Sequence, residues 1–139
     1  MAQEVDLQRF VDAQQAVYET VCAELRAGHK RTHWMWFIFP QIAGLGHSST
    51  ARHFALAGID EAQAYLAHPL LGKRLEECCR ILAATEGRTA SQIFGYPDDL
   101  KLHSSLTLFA QAAPGQPLFD ACLAQYYKGQ RDAATLELL

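Results

Sequence analysis

Residues 33–48 read HWMWFIFPQIAGLGHS, and this stretch shapes the interpretation of the whole chain. Both tryptophans of the chain, two histidines and a Gly-Leu-Gly step fall within it. The apolar run at 34–39 predicts a packed anchor, and the residues after Pro40 predict a polar loop. Periodicity does not separate a helical turn from a strand over so few residues. Because the sequence offers no second strand to pair with it, a helix or an extended loop is favoured.

The composition predicts one domain over residues 1–139. Of the 139 residues, 50% are hydrophobic and 19% are charged, and the formal net charge is −3. A chain of this length buries roughly two-thirds of its unfolded surface. The slightly negative charge argues against general binding to nucleic acid or to anionic membranes. The N-terminus is acidic and no segment approaches the ~18 apolar residues of a membrane span, so neither a signal peptide nor a membrane association is expected.

The four cysteines predict a reducing compartment. Cys22, Cys78, Cys79 and Cys122 include no Cys-x-x-Cys pair, and no Cys/His spacing resembles a zinc site. Buried free thiols in the cytoplasm are the expected state. No metal and no cofactor is implied, and the oligomeric state is left open.

Glycine and proline separate a series of helical patterns, which predicts an all-α bundle of about six to eight short and medium helices. Apolar residues from Leu7 to Leu25 recur at helical spacing and predict one continuous first helix, closed by Gly28. Gln14 lies within that apolar stripe, where its amide is expected to brace a neighbouring loop. The basic run at 29–31 is interpreted as a solvated helix end.

Three polar residues fall on the apolar face of the helix predicted after Pro97. Asp98, Lys101 and Ser105 lie within about 60° of one another on a helical wheel, on the side of Leu102 and Phe109. Burying neutral polar groups without partners costs ~1–3 kcal/mol each, and more for a charge. These three groups therefore either pair internally or line a cleft.

The 33–48 segment supplies the other candidate binding groups. In a helix the two tryptophans diverge by ~200°, so one is expected in the core and Trp36 is assigned to a pocket wall. The Gly-Leu-Gly step is expected to offer backbone N–H groups to an anion, and Ser48 or Ser49 to cap a short helix. Gln41 either holds the loop or bonds a ligand, and His33 and His47 complete the set.

Four stretches of the chain together resemble a bacterial family of unknown function, whose members sometimes carry the label "calpastatin" in genomes. They read DLQRFVDAQ, HWMWFIFPQIAGLGHS, AQAYLAHPLLGKRLEEC and IFGYPDDLKLHSSLTLF, and the resemblance runs roughly from Asp6 to Leu136. It implies a mainly α-helical single domain and no established activity. Calpain inhibitors are disordered repeat proteins, whereas this chain is apolar enough to form a core, so the label carries little weight.

The sequence predicts a pocket between the 33–48 segment and the helix at 97–111, binding a small polar or phosphate-bearing, nucleotide-like metabolite. One alternative is an enzyme that uses His33 or His47 as acid or base in the same pocket. A second alternative is a protein–protein interaction module that presents the Trp-rich segment as a flat patch. The predicted lining consists of His33, Trp36, Gln41, His47, Ser48, Asp98, Lys101 and Ser105.

Overall fold

The computed structural model describes residues 6–139, which form an all-α single-domain bundle. In these residues the only strand-like pairing is an isolated bridge between Ile42 and Leu56. The ten helices are α1 (Gln8–Gln15), α2 (Tyr18–Arg26), α3 (Met35–Ile38), α4 (Ser49–His53), α5 (Ile59–Ala67), α6 (Leu71–Ala84), α7 (Ala90–Phe94), α8 (Asp98–Ala112), α9 (Pro117–Tyr127) and α10 (Ala133–Leu138).

Helix α8 is the centre of the bundle. It packs against α3, α5, α7, α9 and α10, and every residue from Ser104 to Ala110 is buried. A helix that is covered on all sides has no polar face to present to water. The polar residues near its start therefore lie where the covering is incomplete, and this is where the candidate site is found.

The predicted continuous first helix is wrong. The chain breaks at residues 16–17 into α1 and α2, with the Val17 N–H donating to the Gln14 carbonyl at 3.1 Å. The buried Gln14 amide donates to the Phe37 carbonyl at 2.7 Å and to the Tyr65 hydroxyl at 3.0 Å. The predicted bracing role of Gln14 is confirmed, and the break lets α2 turn towards α6 while α1 stays on α3.

Most other helix starts follow the sequence pattern. Ser48 and Asp132 cap α4 and α10 through their side chains, and Thr89 forms a capping box with Gln92 at α7. Helix α5 is different, because it starts at Ile59 after Gly58 and has no side-chain cap. The helix count exceeds the predicted six to eight because the first helix is split and the 34–39 run includes the short helix α3.

All four cysteines are free and buried, as predicted. Cys78 and Cys79 are neighbours on α6 but point about 100° apart, as consecutive helical residues do. The Cys78 thiol meets Cys22 of α2, and the Cys122 thiol of α9 donates to the Cys79 carbonyl at 3.4 Å. The pair therefore faces two different helix interfaces.

No helix among residues 6–139 is both long enough and apolar enough to cross a membrane. In the same part of the chain, no group of three or more His, Cys, Asp or Glu side chains is placed to hold a metal ion.

Candidate functional site

A cleft of about 110 Å³ opens between α3, the start of α8 and the segment 41–56. Its inner wall is apolar, because Met35, Phe39 and Ile42 are at most 2% exposed. Its outer part carries the polar side chains Trp36, Gln41, Arg52 and Lys101. The cleft therefore combines a fixed apolar floor with a polar, cationic mouth.

The segment 41–56 forms a closed loop, with α4 inside it. Its two ends are joined because the Ala43 N–H donates to the Leu56 carbonyl at 2.8 Å and the Leu56 N–H donates to the Gln41 carbonyl at 3.0 Å. Ile42 and Leu56 at this junction are buried in the core. The loop is thus anchored at its base, and α4 forms one wall of the cleft.

Arg9 of α1 holds the far side of the same loop. Its guanidinium donates to the His53 carbonyl at 2.7 Å and to the Ala55 carbonyl at 3.0 Å, and it lies 4.5 Å from the centroid of the Phe10 ring. Carbonyl groups at the end of a short helix lack intrahelical partners, and a guanidinium can satisfy two of them at once. Arg9 therefore fixes the position of the cleft residues Phe54 and Ala55.

Glycines 44 and 46 let the loop backbone approach the cleft. Gly44 has a φ of +106°, which side-chain-bearing residues rarely adopt, and a Cβ on Gly46 would lie 2.5 Å from the Ala51 Cβ. Among residues 6–139, the N–H groups of Gly44 and Gly46 have no hydrogen-bond acceptor. Both glycines are part of the cleft lining.

The Lys101 ammonium lies over Trp36 at the mouth of the cleft. Its Nζ is 4.2 Å from the centroid of the indole ring, which is a cation–π contact. The same Nζ is 3.4 Å from Asp98 Oδ1, one helical turn earlier. Lys101 thus occupies one face of the indole, so a ligand that stacked on that face would have to displace it.

Asp98 is shared between two lysines. Lys30 Nζ lies 2.8 Å from Asp98 Oδ2, and only 7% of the Lys30 side chain is exposed. The interpretation of the 29–31 run as a solvated helix end is therefore wrong for Lys30, because a carboxylate distant in sequence and the Trp34 ring cover it. The carboxylate neutralises one of the two ammonium charges, so the group keeps a net positive charge beside the cleft.

A buried carboxylate organises the segment that leads into α3. Glu24 accepts hydrogen bonds from the Arg31 N–H at 2.7 Å, from the Thr32 N–H at 3.0 Å, from the Thr32 hydroxyl at 2.7 Å and from the Trp34 indole at 3.0 Å. Burial alone would raise the Glu24 pKa, but these four donors outweigh it and lower the pKa to about 2. This network fixes Trp34 in the core and sets the start of α3, which carries Trp36.

The structure places three of the eight predicted lining residues in the cleft: Trp36, Gln41 and Lys101. Asp98 contacts the cleft through Lys101. Four others lie outside the lining: His33 and His47 are exposed, Ser48 is exposed and its hydroxyl caps α4, and Ser105 is fully buried. The division of roles between Trp34 in the core and Trp36 at a pocket wall agrees with the prediction.

Ser105 fulfils neither of the two expectations for the polar face of α8, which were pairing within the protein or lining a cleft. Its hydroxyl is buried and has no hydrogen-bond partner among residues 6–139, and it does not line the cleft. Asp98 and Lys101 pair with each other, and of the two only Lys101 lines the cleft.

Comparison with known families is informative at this point. Residues 4–139 match a family described as a protein of unknown function, DUF1810. This chain belongs to the DUF1810 family. The resemblance predicted from the four sequence stretches is confirmed as a relation to a family of unknown function, whereas nothing supports the calpastatin label.

The DUF1810 chain is also similar to a solved structure, that of the conserved hypothetical protein Rv1873 from Mycobacterium tuberculosis. The two share 54% sequence identity over 96% of each chain, with a TM-score of 0.95. No curated protein matches the chain.

Sequence reasoning missed three residues that line the cleft or hold its walls in place. Arg52 lines the cleft, Arg9 holds the loop and Glu24 fixes the segment before α3. Arg52 and Arg9 occupy positions on short helices that look like ordinary solvated arginines. Glu24 carried a usable signal, because a carboxylate between the apolar residues Cys22 and Leu25 sits next to the buried face of its helix.

Proposed function

We propose that this DUF1810 domain binds a small anionic metabolite in the cleft between α3, the 41–56 loop and α8, and that it does so in the cytoplasm. The observation that carries the proposal is that the Lys101–Trp36 pair and Arg52 line the same cleft. Four buried free thiols are consistent with a reducing compartment.

Charge supports an anion over a neutral ligand. Lys30 and Lys101 share the Asp98 carboxylate. Arg52 makes no ion pair with any carboxylate of residues 6–139. The cleft therefore carries one guanidinium without a carboxylate partner and one ammonium that shares its carboxylate with a second lysine. This excess of positive charge raises the local concentration of anions although the whole chain is slightly acidic.

Preorganisation supports a binding role as well. Arg9 and the Ile42–Leu56 bridge hold the loop, and Glu24 holds the segment before Trp36. The cleft is therefore already ordered before a ligand binds. Binding sites that are formed in advance lose less conformational entropy when they are occupied.

A metabolite thermal-shift screen on wild type and Lys101→Met tests the proposal. A ligand at one hundred times its Kd stabilises the native state by about 2.7 kcal/mol, which is roughly 10 °C in Tm for a domain of this size. We expect anionic compounds to raise the wild-type Tm and the shift to shrink in Lys101→Met. Lys73→Met, which removes the same charge from the exposed side of α6, is the control.

Two outcomes would contradict the proposal: no anion raises the wild-type Tm, or the shift is the same in Lys101→Met. The enzyme and interaction-module alternatives stay predictions. His33 and His47 lie outside the cleft, and Trp34 is buried, so neither alternative is supported by a specific contact of the described residues.

A further inference from the structure

The size and inner chemistry of the cleft narrow the class of ligand, and this step rests on the proposed function. The cleft holds about 110 Å³. An apolar cavity of about 150 Å³ accepts one benzene ring, and drug-sized ligands occupy roughly 300–1,000 Å³. The cleft is somewhat smaller than that apolar cavity, so it accommodates at most one small ring or a short branched chain, and a whole nucleotide would project from it.

The floor of the cleft favours an apolar group over a phosphate. Met35, Phe39 and Ile42, all at most 2% exposed, lie beneath it, half-buried Ala51, Phe54 and Ala55 give it accessible apolar surface, and none of these side chains offers a hydrogen-bond donor. A phosphate pushed against these side chains would lose its hydration without compensation, which costs several kcal/mol. A hydrocarbon body placed there instead gains about 25 cal/mol for each Å² of apolar surface removed from water.

The cationic groups lie at the mouth and favour a single carboxylate. The Arg52 side chain belongs to an exposed residue and Lys101 is half-buried, so both charges stand at the outer end of the cleft. A guanidinium binds a carboxylate through two parallel hydrogen bonds. The apolar inner part and the cationic mouth of the cleft thus match a molecule that has a hydrocarbon body at one end and a negative charge at the other.

We infer that the ligand is a small amphiphilic monocarboxylate, consisting of one aromatic ring or a branched chain of about five carbons with one terminal carboxylate. Its hydrocarbon body lies in the apolar part of the cleft, against half-buried Ala51 and Phe54, and its carboxylate lies between Arg52 and Lys101. Gln41 at the same mouth supplies a further polar side chain.

Calorimetric titration with defined probes tests this inference. The probes are benzoate and 4-methylpentanoate, their neutral amides, inorganic phosphate and adenosine monophosphate. We expect the two carboxylates to bind at least tenfold more tightly than their amides and more tightly than either phosphate compound. A negative heat-capacity change on carboxylate binding, measured between 15 and 35 °C, is expected because apolar surface is buried.

A pair of arginine variants locates the charge. Arg52→Gln is expected to weaken benzoate binding at least tenfold, whereas Arg80→Gln, on an exposed residue of α6, is expected to change it less than twofold. Circular dichroism on both variants establishes that they are folded.

The outcomes separate this inference from the proposed function. Binding of phosphate or adenosine monophosphate without the carboxylates would overturn the inference and leave anion binding in place. Equal affinity for acid and amide, or unchanged affinity in Arg52→Gln, would also overturn it. If none of these probes binds while another anion raises the wild-type Tm in the metabolite screen, the inference alone is wrong; if no anion acts in either experiment, both the inference and the proposed function are wrong.

Discussion

Trp34 and Trp36 are two residues apart, yet their surroundings differ in one decisive respect. The Trp34 indole is 1% exposed and its N–H is bonded to Glu24, whose carboxylate is already filled by three other donors. Trp36 is half-buried, and its ring meets the Lys101 ammonium at the edge of an open cleft. The polar groups around Trp34 have their hydrogen-bond partners within the chain, whereas those around Trp36 can still form further hydrogen bonds or ion pairs. Unfilled bonding capacity, more than residue type, separates the region that we propose to bind a ligand from the bracing region.

Removing each indole in turn gives the largest expected contrast. Trp34→Ala should cost about 3–5 kcal/mol in the free energy of unfolding, because it empties a core position and leaves Glu24 short of a donor. Trp36→Ala should cost only about 1 kcal/mol, since its ring is partly solvated, and should weaken anion binding. Urea unfolding followed by far-UV circular dichroism measures both. Equal losses would show that the two positions are not energetically distinct.

Replacing the buried carboxylate tests the bracing region without creating a cavity. Glu24→Gln should lower the free energy of unfolding by about 2–3 kcal/mol at pH 7, because the amide can no longer accept from all four donors. Glu19→Gln, on an exposed residue of the same helix, should change it by less than about 0.5 kcal/mol and serves as the control.

The same carboxylate gives the protein a predictable acid sensitivity. The Glu24 pKa is lowered in the folded state to about 2 from an ordinary value of 4.5, so the unfolded chain takes up the proton first as the pH falls. Its contribution is complete above pH 4.5 and is lost as the pH drops towards 2, with about 2 kcal/mol gone by pH 3. Unfolding free energies of wild type and Glu24→Gln at several pH values check this. The gap between them should narrow by that amount, and a constant gap would contradict the assignment.

The smallest effect is expected inside α8. Ser105→Ala should be neutral or stabilise the fold by up to about 1 kcal/mol, since it removes a buried hydroxyl that has no partner among residues 6–139. It should leave anion binding unchanged, because Ser105 lies outside the cleft lining.

Ser104→Ala is the matched comparison for that variant. The Ser104 hydroxyl lies 3.1 Å from both the Leu100 carbonyl and Asp132 Oδ2 and donates its single proton to one of these two acceptors, so its loss should cost about 1 kcal/mol. Thermal unfolding of the two variants side by side gives the sign of each change. Destabilisation by Ser105→Ala would mean that its hydroxyl is bonded after all.

The sequence was informative wherever a structure depends on neighbours along the chain. The caps at Ser48, Thr89 and Asp132 follow local patterns, and the divergence of the two tryptophans follows from helix geometry. The break between α1 and α2 could not be predicted in the same way. The two helices pack on different partners, α1 on α3 and α2 on α6, and α6 is distant in sequence.

The same limit explains the mixed result for the site. Lys101 and Asp98 were found because both lie on one helix, where spacing defines a face. Lys30 was misjudged because its partner Asp98 comes from another part of the chain, and Arg52 was missed because only the closed 41–56 loop brings it to the cleft. Helical periodicity identifies which face is unusual, but the partners of that face are set by the tertiary fold.

The four buried cysteine thiols can be used to measure how often parts of this domain open. A thiol reagent dissolved in water can reach them only when helices separate, so the labelling rate of native protein measures the frequency and cost of that opening. Cys78 lies at the interface of α6 with α2, and Cys79 lies at the interface of α6 with α9. Labelling of these two adjacent residues therefore reports on two separate interfaces. Mass spectrometry that resolves the two sites would show which side of α6 loosens first, without introducing any foreign probe.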